Sequence, residues 1–172
     1  GMSFMIRLLP TSLAVPALCL TACANLEKTA DAPSIEADVT AMLMEWSSSL
    51  PEGRLEDFKA VYSTQPGFLW VERGLPLYRS VDELSVGVDD LIDQNAELNN
   101  TLTDIEVHAL GPNAAAFNAQ MTSDLRLAGF NITFDGVLTG IALKDGDTWT
   151  LYRGHLSEPP RRQDVPPEWA GQ

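Results

Sequence analysis

Residues 134–157, FDGVLTGIALKDGDTWTLYRGHLS, carry the strongest structural pattern in this chain. They predict two β-strands joined by a tight turn at Asp145-Gly146, where glycine supplies the positive φ that a short hairpin needs. Regular alternation along the second strand would place five residues on one face: Trp149, Leu151, Arg153, His155 and Ser157. That face begins apolar and ends polar. We therefore expect it to lead from a packed core to the mouth of a cavity.

The segments before this hairpin predict three helices, a short hairpin and two further strands. Apolar residues recur at helical spacing in three places, and the third helix begins at a capping box. The predicted elements are helices from Ser34 to about Leu50, from Leu55 to Tyr62 and from Ser80, a hairpin over 68–78, and strands at 103–110, 114–125, 130–143 and 148–156. Helices followed by a long meander predict an α+β fold with helices covering one face of a curved antiparallel sheet.

Composition and charge exclude several classes of function. The 172-residue chain has a formal net charge of −13, which opposes nucleic-acid binding because that needs clustered Lys and Arg. Its two cysteines, Cys19 and Cys23, both precede the predicted domain. The domain therefore has no disulfide, thiol nucleophile or cysteine-based zinc site. No nucleophile motif, phosphate loop or dinucleotide fingerprint is present, and we predict no cofactor.

The N-terminal residues indicate a targeting signal rather than part of the folded domain. A single basic residue, Arg7, precedes a mostly apolar run that ends at Leu20-Thr21-Ala22-Cys23. This pattern resembles the signal segment and lipobox of bacterial lipoproteins, which implies cleavage before Cys23, acylation of that residue and stable membrane attachment. Ala24 implies the outer membrane facing the periplasm. The alternative is a buried N-terminal helix of a cytosolic protein. We assign 1–23 to the signal segment, 24–33 to a tether, 34–157 to the domain and 158–172 to a proline-rich tail.

The order of elements and the C-terminal pattern resemble the NTF2-like superfamily, in its SnoaL-like and DUF4440-type branch. The residues that carry this resemblance are Trp46, Leu55 to Tyr62, Gly136-Val137-Leu138-Thr139, Asp145-Gly146, Trp149 and His155-Leu156-Ser157. The resemblance implies a cone-shaped, cystatin-like fold with a pocket between sheet and helices. It covers isomerases, cyclases, dehydratases and non-catalytic binding modules. Gly53-Arg54 departs from the Gly-Asp of many relatives, so the role of that Asp does not transfer.

Two polar side chains are candidates for chemistry in the pocket. His155 shares the predicted face of Trp149 and could hydrogen-bond at the rim, contact a ligand or transfer a proton. Glu72 falls on the same strand face as Phe68 and Trp70. If it is buried beside these aromatic rings, it is a base with a raised pKa; the alternative is an exposed residue of the following turn. Arg153 would receive a carboxylate or pair with Glu72. Catalysis, if present, would use Glu72 with His155.

The remaining candidates are aromatic. Trp46, Tyr62, Trp70 and Trp149 would line an apolar cavity, although aromatic residues at such spacing also form ordinary cores. His108 alternates with acidic residues on an outward face, and this spacing does not favour a metal site. We therefore expect a lipid-anchored module that binds a small, largely apolar molecule. The alternatives are a proton-transferring isomerase, cyclase or dehydratase, and a structural dimerisation module.

The outward face of the predicted meander carries apolar residues of its own. Val137, Ile141, Leu143, Tyr152 and Leu156 fall on positions opposite the core set. A sheet that is apolar on both faces usually has a second partner. We therefore expect a homodimer formed through this face.

Overall fold

A computed structural model describes residues 31–158, and the predicted signal segment, most of the predicted tether and most of the predicted tail lie outside this range. Within residues 31–158, three helices precede or follow the first two strands, and four long strands come after them. The elements are α1 Ala32–Ser49, α2 Leu55–Ala60, β1 Leu69–Glu72, β2 Leu75–Tyr78, α3 Val81–Asp93, β3 Glu97–Gly111, β4 Ala114–Leu127, β5 Phe130–Asp145 and β6 Thr148–Ser157. The α+β class and the predicted order of elements are confirmed.

All six strands belong to one curved sheet with the order β2-β1-β6-β5-β4-β3. The neighbours β3 to β6 form the predicted antiparallel meander. The short hairpin joins its last strand, and there β1 runs parallel to β6, with Trp70 opposite Gly154 and Val71 opposite His155. The sheet is thus mixed, because the long connection through the other elements lets β1 approach β6 in the parallel sense.

Local signals set the helix and turn boundaries. The Glu83 backbone N–H donates to the Ser80 hydroxyl at 3.2 Å, and the Glu83 carboxylate accepts from the Arg79 N–H at 2.7 Å. Ser80 therefore caps α3 as predicted. Helix α1 begins before the predicted cap at Ser34, with a proline in its first turn, where the missing N–H costs nothing. Gly146 adopts φ 61° in the β5–β6 turn, as expected.

Helix α1 lies against the concave face of the sheet and supplies one side of the core. Its buried stripe contains the predicted residues Ile35, Val39, Met42, Leu43 and Trp46. Phe117, Ala119 and Met121 of β4 face it, again as predicted. No helix within residues 31–158 is both long and apolar enough to cross a membrane.

A β-bulge in β6 changes which residues face the core. Arg153 pairs with Ile141 and Leu151 pairs with Ala142, so Tyr152 is an extra residue without a partner on β5. The Tyr152 hydroxyl donates to the Pro66 carbonyl at 2.8 Å, which holds the bulge against the loop before β1. Alternation is reversed after this residue. Leu156 is therefore buried in the core, whereas regular alternation predicted it on the opposite face.

Strand β3 begins at Glu97, six residues before the predicted start at Thr103. The first residues of β3 are mostly polar and include Asn99 and Asn100, and this composition does not predict a strand. Pairing with β4 extends the strand, because Asn100 lies opposite Ser123 and the Ser123 hydroxyl donates to the Asn100 side-chain oxygen at 2.7 Å.

Candidate functional site

An apolar cavity of about 420 Å³ lies between the concave face of the sheet, helices α2 and α3, and the β1–β2 hairpin. Its walls are mostly aromatic and aliphatic, with a few polar groups. The lining residues include Trp46, Phe58, Tyr62, Trp70, Leu84, Val88, Leu98, Met121, Phe134 and Leu156. The exposed lining residues Arg73, Leu77, Ile132 and Glu158 define what we call the mouth. Ligand pockets in proteins commonly measure roughly 300–1,000 Å³, and this cavity falls in that range.

A cluster of aromatic rings forms the inner end of the cavity. Trp46 stacks on Phe58 with ring centroids 5.9 Å apart, and Tyr62 meets Trp70 edge to face at 5.9 Å. The Trp46 indole N–H donates to the Tyr62 hydroxyl at 2.6 Å. Trp46, Tyr62 and Trp70 all line the cavity, which is where the sequence analysis expects them. They serve both as core and as cavity wall.

Gly154 allows the Trp70 ring to lie flat on β6. Trp70 is opposite Gly154 in the parallel pair, and a methyl group added at Gly154 would overlap the ring. The ring then presents its other side to the cavity. The absence of a side chain at position 154 is therefore a requirement of the site as well as of the strand.

Three buried polar side chains, those of Tyr62, Asn100 and Ser123, line the cavity among the apolar ones. The Tyr62 hydroxyl accepts from Trp46 and keeps its own hydrogen, and burial raises the pKa of Tyr62 well above its ordinary value. Tyr62 therefore remains a protonated donor at neutral pH. Asn100 and Ser123 are both buried, and their mutual hydrogen bond uses the Asn100 carbonyl oxygen. The amide N–H groups of Asn100 make no hydrogen bond within residues 31–158.

Glu72 stands at the cavity wall between the inner cluster and the mouth. The Trp70 indole N–H donates to its carboxylate at 2.5 Å, and the side chain is half-buried. At the mouth, Arg73 lies 3.7 Å from the Glu158 carboxylate. The pKa of Tyr78 is raised, first by burial and then by the charges of Glu72 and Asp90. The carboxylates of Glu72 and Asp90 thus act on the Tyr78 hydroxyl beside the cavity.

The structure does not bring His155 and Arg153 into the cavity. Both are exposed on the convex face of the sheet, with His155 beside Val71 and Arg153 beside Leu69. The expectation that they share the face of Trp149 and Leu151 is wrong, because the bulge at Tyr152 reverses the alternation between them. Glu72 and His155 lie on opposite faces of one sheet. The predicted proton-transfer pair therefore cannot form, and the proposed pairing of Arg153 with Glu72 fails for the same reason.

Trp149 faces the core, as expected, but lies at the other end of the sheet from the cavity. It is buried next to the β5–β6 turn, and it is not among the lining residues. Its indole N–H has no hydrogen-bond partner within the part of the chain that the structure describes. The predicted role of Trp149 in ligand contact is therefore not supported by its position.

Sequence reasoning missed the polar residues Asn100 and Ser123. Ser123 follows Met121 with the alternation of the predicted strand, so its inward position was within reach of the pattern. Asn100 precedes the predicted start of β3, and no local signal indicated its burial. Cys23 lies outside the described residues. Among those described, no three side chains of His, Cys, Asp or Glu come close enough together to hold a metal ion.

Comparison with known proteins shows similarity of structure without close similarity of sequence. A scan of protein-family models found no match, and a search of curated proteins found no similar sequence. An NTF2-like protein of unknown function from Shewanella oneidensis MR-1 has a TM-score of 0.58 and 21% identity over 73% of this chain and 99% of its own. A protein with a cystatin-like fold from Caulobacter vibrioides has a TM-score of 0.58 and 17% identity, covering 78% and 92%.

A candidate dehydratase of the NTF2-like family from Streptomyces avermitilis has a TM-score of 0.63 and 17% identity over 75% of this chain and 100% of its own. At these identities the comparisons show the fold alone. In the chain described above, helices cover a curved sheet with a cavity between the two layers, and this architecture agrees with the fold of these structures. The chain has the NTF2-like, or cystatin-like, fold.

Proposed function

We propose that this protein binds a small, largely apolar molecule in the cavity between the sheet and helices α2 and α3. The observation that carries the proposal is a cavity of about 420 Å³ between the sheet and the helices, with walls that are mostly apolar and a mouth open to solvent. Apolar walls left unfilled forgo the packing contacts and the burial that additional side chains would provide. A module with a purely structural role would be expected to fill it with side chains.

The lining predicts the kind of ligand. The aromatic rings of Trp46, Tyr62 and Trp70 supply apolar area, and the Tyr62 hydroxyl and Asn100 amide are donors at a buried wall. If the ligand offered no acceptor, each of these donors would be left without a hydrogen-bond partner, which is unfavourable. Glu72 lines the same cavity and its charge acts on the Tyr62 hydroxyl, so the sign of that charge disfavours an anionic ligand. The ligand is therefore expected to be neutral, with one or two acceptor atoms on an apolar body.

Binding is supported more strongly than proton transfer. The enzyme alternative required a carboxylate within hydrogen-bond reach of His155, and the two candidates lie on opposite faces. The other histidine, His108, is exposed on β3. Glu72 by itself is already engaged by Trp70. Placement in the SnoaL-like and DUF4440-type branch is part of the proposal and depends on the motif residues alone.

A titration with the neutral dye N-phenyl-1-naphthylamine, whose fluorescence rises in apolar sites, tests this proposal. Val88→Phe adds a ring at the cavity wall, and we expect it to raise the apparent Kd about tenfold, or 1.4 kcal/mol. His155→Ala is the matched control, because its side chain is on the convex face, and it should leave the Kd unchanged. Far-UV circular dichroism confirms that both variants are folded. Equal affinity in wild type and Val88→Phe would refute the proposal.

Lipid anchoring is a second part of the proposal, and it depends on the N-terminal sequence. The motif Leu20-Thr21-Ala22-Cys23 would direct the chain across the inner membrane and attach it through acylated Cys23 to the outer membrane. The intact mass of protein purified from a Gram-negative host tests this directly. We expect loss of residues 1–22 and addition of acyl chains, both abolished in Cys23→Ser. A full-length, unmodified mass would contradict it.

A further inference from the structure

Two polar residues interrupt the apolar lining of the cavity at matched positions on neighbouring strands. Asn100 of β3 lies directly opposite Ser123 of β4, and both line the cavity. The residues two positions away from each, on the same strand face, are all apolar: Leu98, Leu102, Met121 and Leu125. An apolar pair at positions 100 and 123 would continue both apolar stripes. The amide and the hydroxyl therefore mark one point of an otherwise apolar wall.

The Asn100 side chain is held in one orientation from two sides. The Ser123 hydroxyl donates to its side-chain oxygen at 2.7 Å, and the Ser47 hydroxyl of α1 donates to the Asn100 backbone carbonyl at 2.6 Å. Asn100 is only 6% exposed and Ser123 only 1% exposed. Because the amide oxygen is turned to Ser123, the amide nitrogen points away from it. This orientation exists before a ligand binds, which lowers the cost of ordering the site.

The amide nitrogen of Asn100 is unpaired but still reachable. Neither of its N–H groups makes a hydrogen bond within residues 31–158. Over the same range, the Trp149 indole nitrogen is the only unpaired side-chain nitrogen or oxygen that protein atoms enclose completely. The Asn100 nitrogen therefore borders open space, and the space that Asn100 lines is the cavity. Buried amide groups normally have partners, so this donor indicates an acceptor on the ligand.

The acceptor that suits this donor best is a neutral carbonyl oxygen. A carbonyl oxygen accepts through two lone pairs and has no hydrogen that would need an acceptor of its own at an apolar wall. A carboxylate would also accept, but Glu72 lines the same cavity and repels a second negative charge. A hydroxyl or an amine would bring an additional donor to a wall that already has one unpaired.

We infer that Asn100 selects the ligand by donating an amide N–H to a carbonyl oxygen on an otherwise apolar molecule, with Ser123 as a positioning residue. The class of ligand is then an uncharged carbonyl compound. This inference rests on the proposed binding in the cavity and adds the group that the cavity recognises. The apolar walls bind the body of the ligand, and Asn100 distinguishes a carbonyl compound from a hydrocarbon of the same shape.

Displacement of N-phenyl-1-naphthylamine from the full chain by two ligands of matched shape tests this inference. In 2-isopropenylnaphthalene a methylene group replaces the carbonyl oxygen of 2-acetylnaphthalene. The double variant Asn100→Leu with Ser123→Ala removes the amide and the hydroxyl together, so neither is left buried without its partner. We expect it to raise the Kd of the ketone relative to that of the hydrocarbon about tenfold, or 1.4 kcal/mol. Asn99→Leu is the matched control and should not change this ratio, because Asn99 is exposed on the opposite face of β3.

A second readout uses the ¹H–¹⁵N NMR spectrum of the wild type and does not depend on the stability of the double variant. Asn100→Asp identifies the side-chain amide resonances of Asn100 by their loss. We expect one of the two amide protons to move downfield with 2-acetylnaphthalene and not with 2-isopropenylnaphthalene. Equal shifts with both ligands would overturn the inference, because the carbonyl oxygen would then not be the acceptor.

The two experiments separate the inference from the proposed function. If the dye and both naphthalenes bind, but the ratio of their Kd values is the same in the wild type and the double variant, the inference is wrong and the proposed function stands. That result would also be expected if water, or the Tyr62 hydroxyl alone, pairs with the groups at this wall. If neither the dye nor either naphthalene binds to the wild type, the proposed function is refuted and the inference with it.

Discussion

The three tyrosines of this chain should respond differently to the loss of their hydroxyl groups. The Tyr62 hydroxyl is the acceptor for the indole N–H of Trp46, and that tryptophan is only 1% exposed. In Tyr62→Phe the N–H is left buried without an acceptor, which costs about 1–3 kcal/mol. We therefore expect Tyr62→Phe to lower the free energy of unfolding by about 2 kcal/mol, near the middle of that range.

The other two tyrosines provide matched controls with the same chemical change. Tyr152 donates to the Pro66 carbonyl at 2.8 Å near the surface, so Tyr152→Phe should cost about 0.5–1.5 kcal/mol. Tyr78 makes no hydrogen bond through its hydroxyl within residues 31–158, and Tyr78→Phe should change stability by less than about 0.5 kcal/mol. Urea denaturation at pH 7, followed by circular dichroism and tryptophan fluorescence, measures all three.

The expected order of cost is Tyr62, then Tyr152, then Tyr78, with equal m-values if the transitions remain two-state. If Tyr62→Phe costs no more than Tyr78→Phe, the bond from Trp46 does not contribute and our account of the inner cluster is wrong. The double variant Trp46→Phe with Tyr62→Phe gives a further check. Because it removes both partners, its cost should be less than the sum of the single variants.

Three other predictions follow from the same geometry. Burial raises the pKa of Tyr62 above its ordinary 10.0. The stability contributed by the protonated hydroxyl is therefore complete below pH 10.0 and is lost as pH rises beyond it, because the unfolded chain ionises first. The urea midpoint should fall less steeply above pH 10.0 in Tyr62→Phe than in wild type. Gly154→Ala should cost about 1–3 kcal/mol through overlap with Trp70, whereas Gly111→Ala, which has open space, should stay within about 0.5 kcal/mol in the same urea assay. The convex face of the sheet carries half-buried apolar residues, and we expect a homodimer through this face. Light scattering at micromolar concentration should give twice the 18.7 kDa chain mass for wild type and the monomer mass for Ile141→Asp. A monomeric wild type would contradict this expectation.

Local chemistry was sufficient to predict the type and the order of the elements. A Ser80–Glu83 capping pattern, an Asp145-Gly146 turn and helical spacing in residues 35–46 each depend on contacts a few residues apart. The inward face of β4, with Phe117, Ala119 and Met121, followed from simple alternation, since β4 lacks a bulge in its pairing with β5. These signals also carried the resemblance that predicted the fold.

The candidate site was predicted only in part. Trp46, Tyr62 and Trp70 converge because each aromatic side chain faces the core, from α1, from the segment after α2 and from β1 respectively. The polar candidates Arg153 and His155 were predicted on the wrong face of the sheet. One extra residue, Tyr152, moved Arg153 and His155 to the convex surface and buried Leu156. Nothing in the local sequence marks this bulge, because its hydrogen-bond partner, Pro66, is far away along the chain.

From the sequence alone follow the class of fold, the order of its helices and strands, the aromatic character of the core and the acidic charge of the domain. These depend on composition and on short-range periodicity. Only the tertiary structure shows the parallel approach of β1 to β6, the burial of Asn100 against Ser123 and the face on which His155 lies. Each depends on pairing between distant strands, where a shift of one residue exchanges the core face for the solvent face.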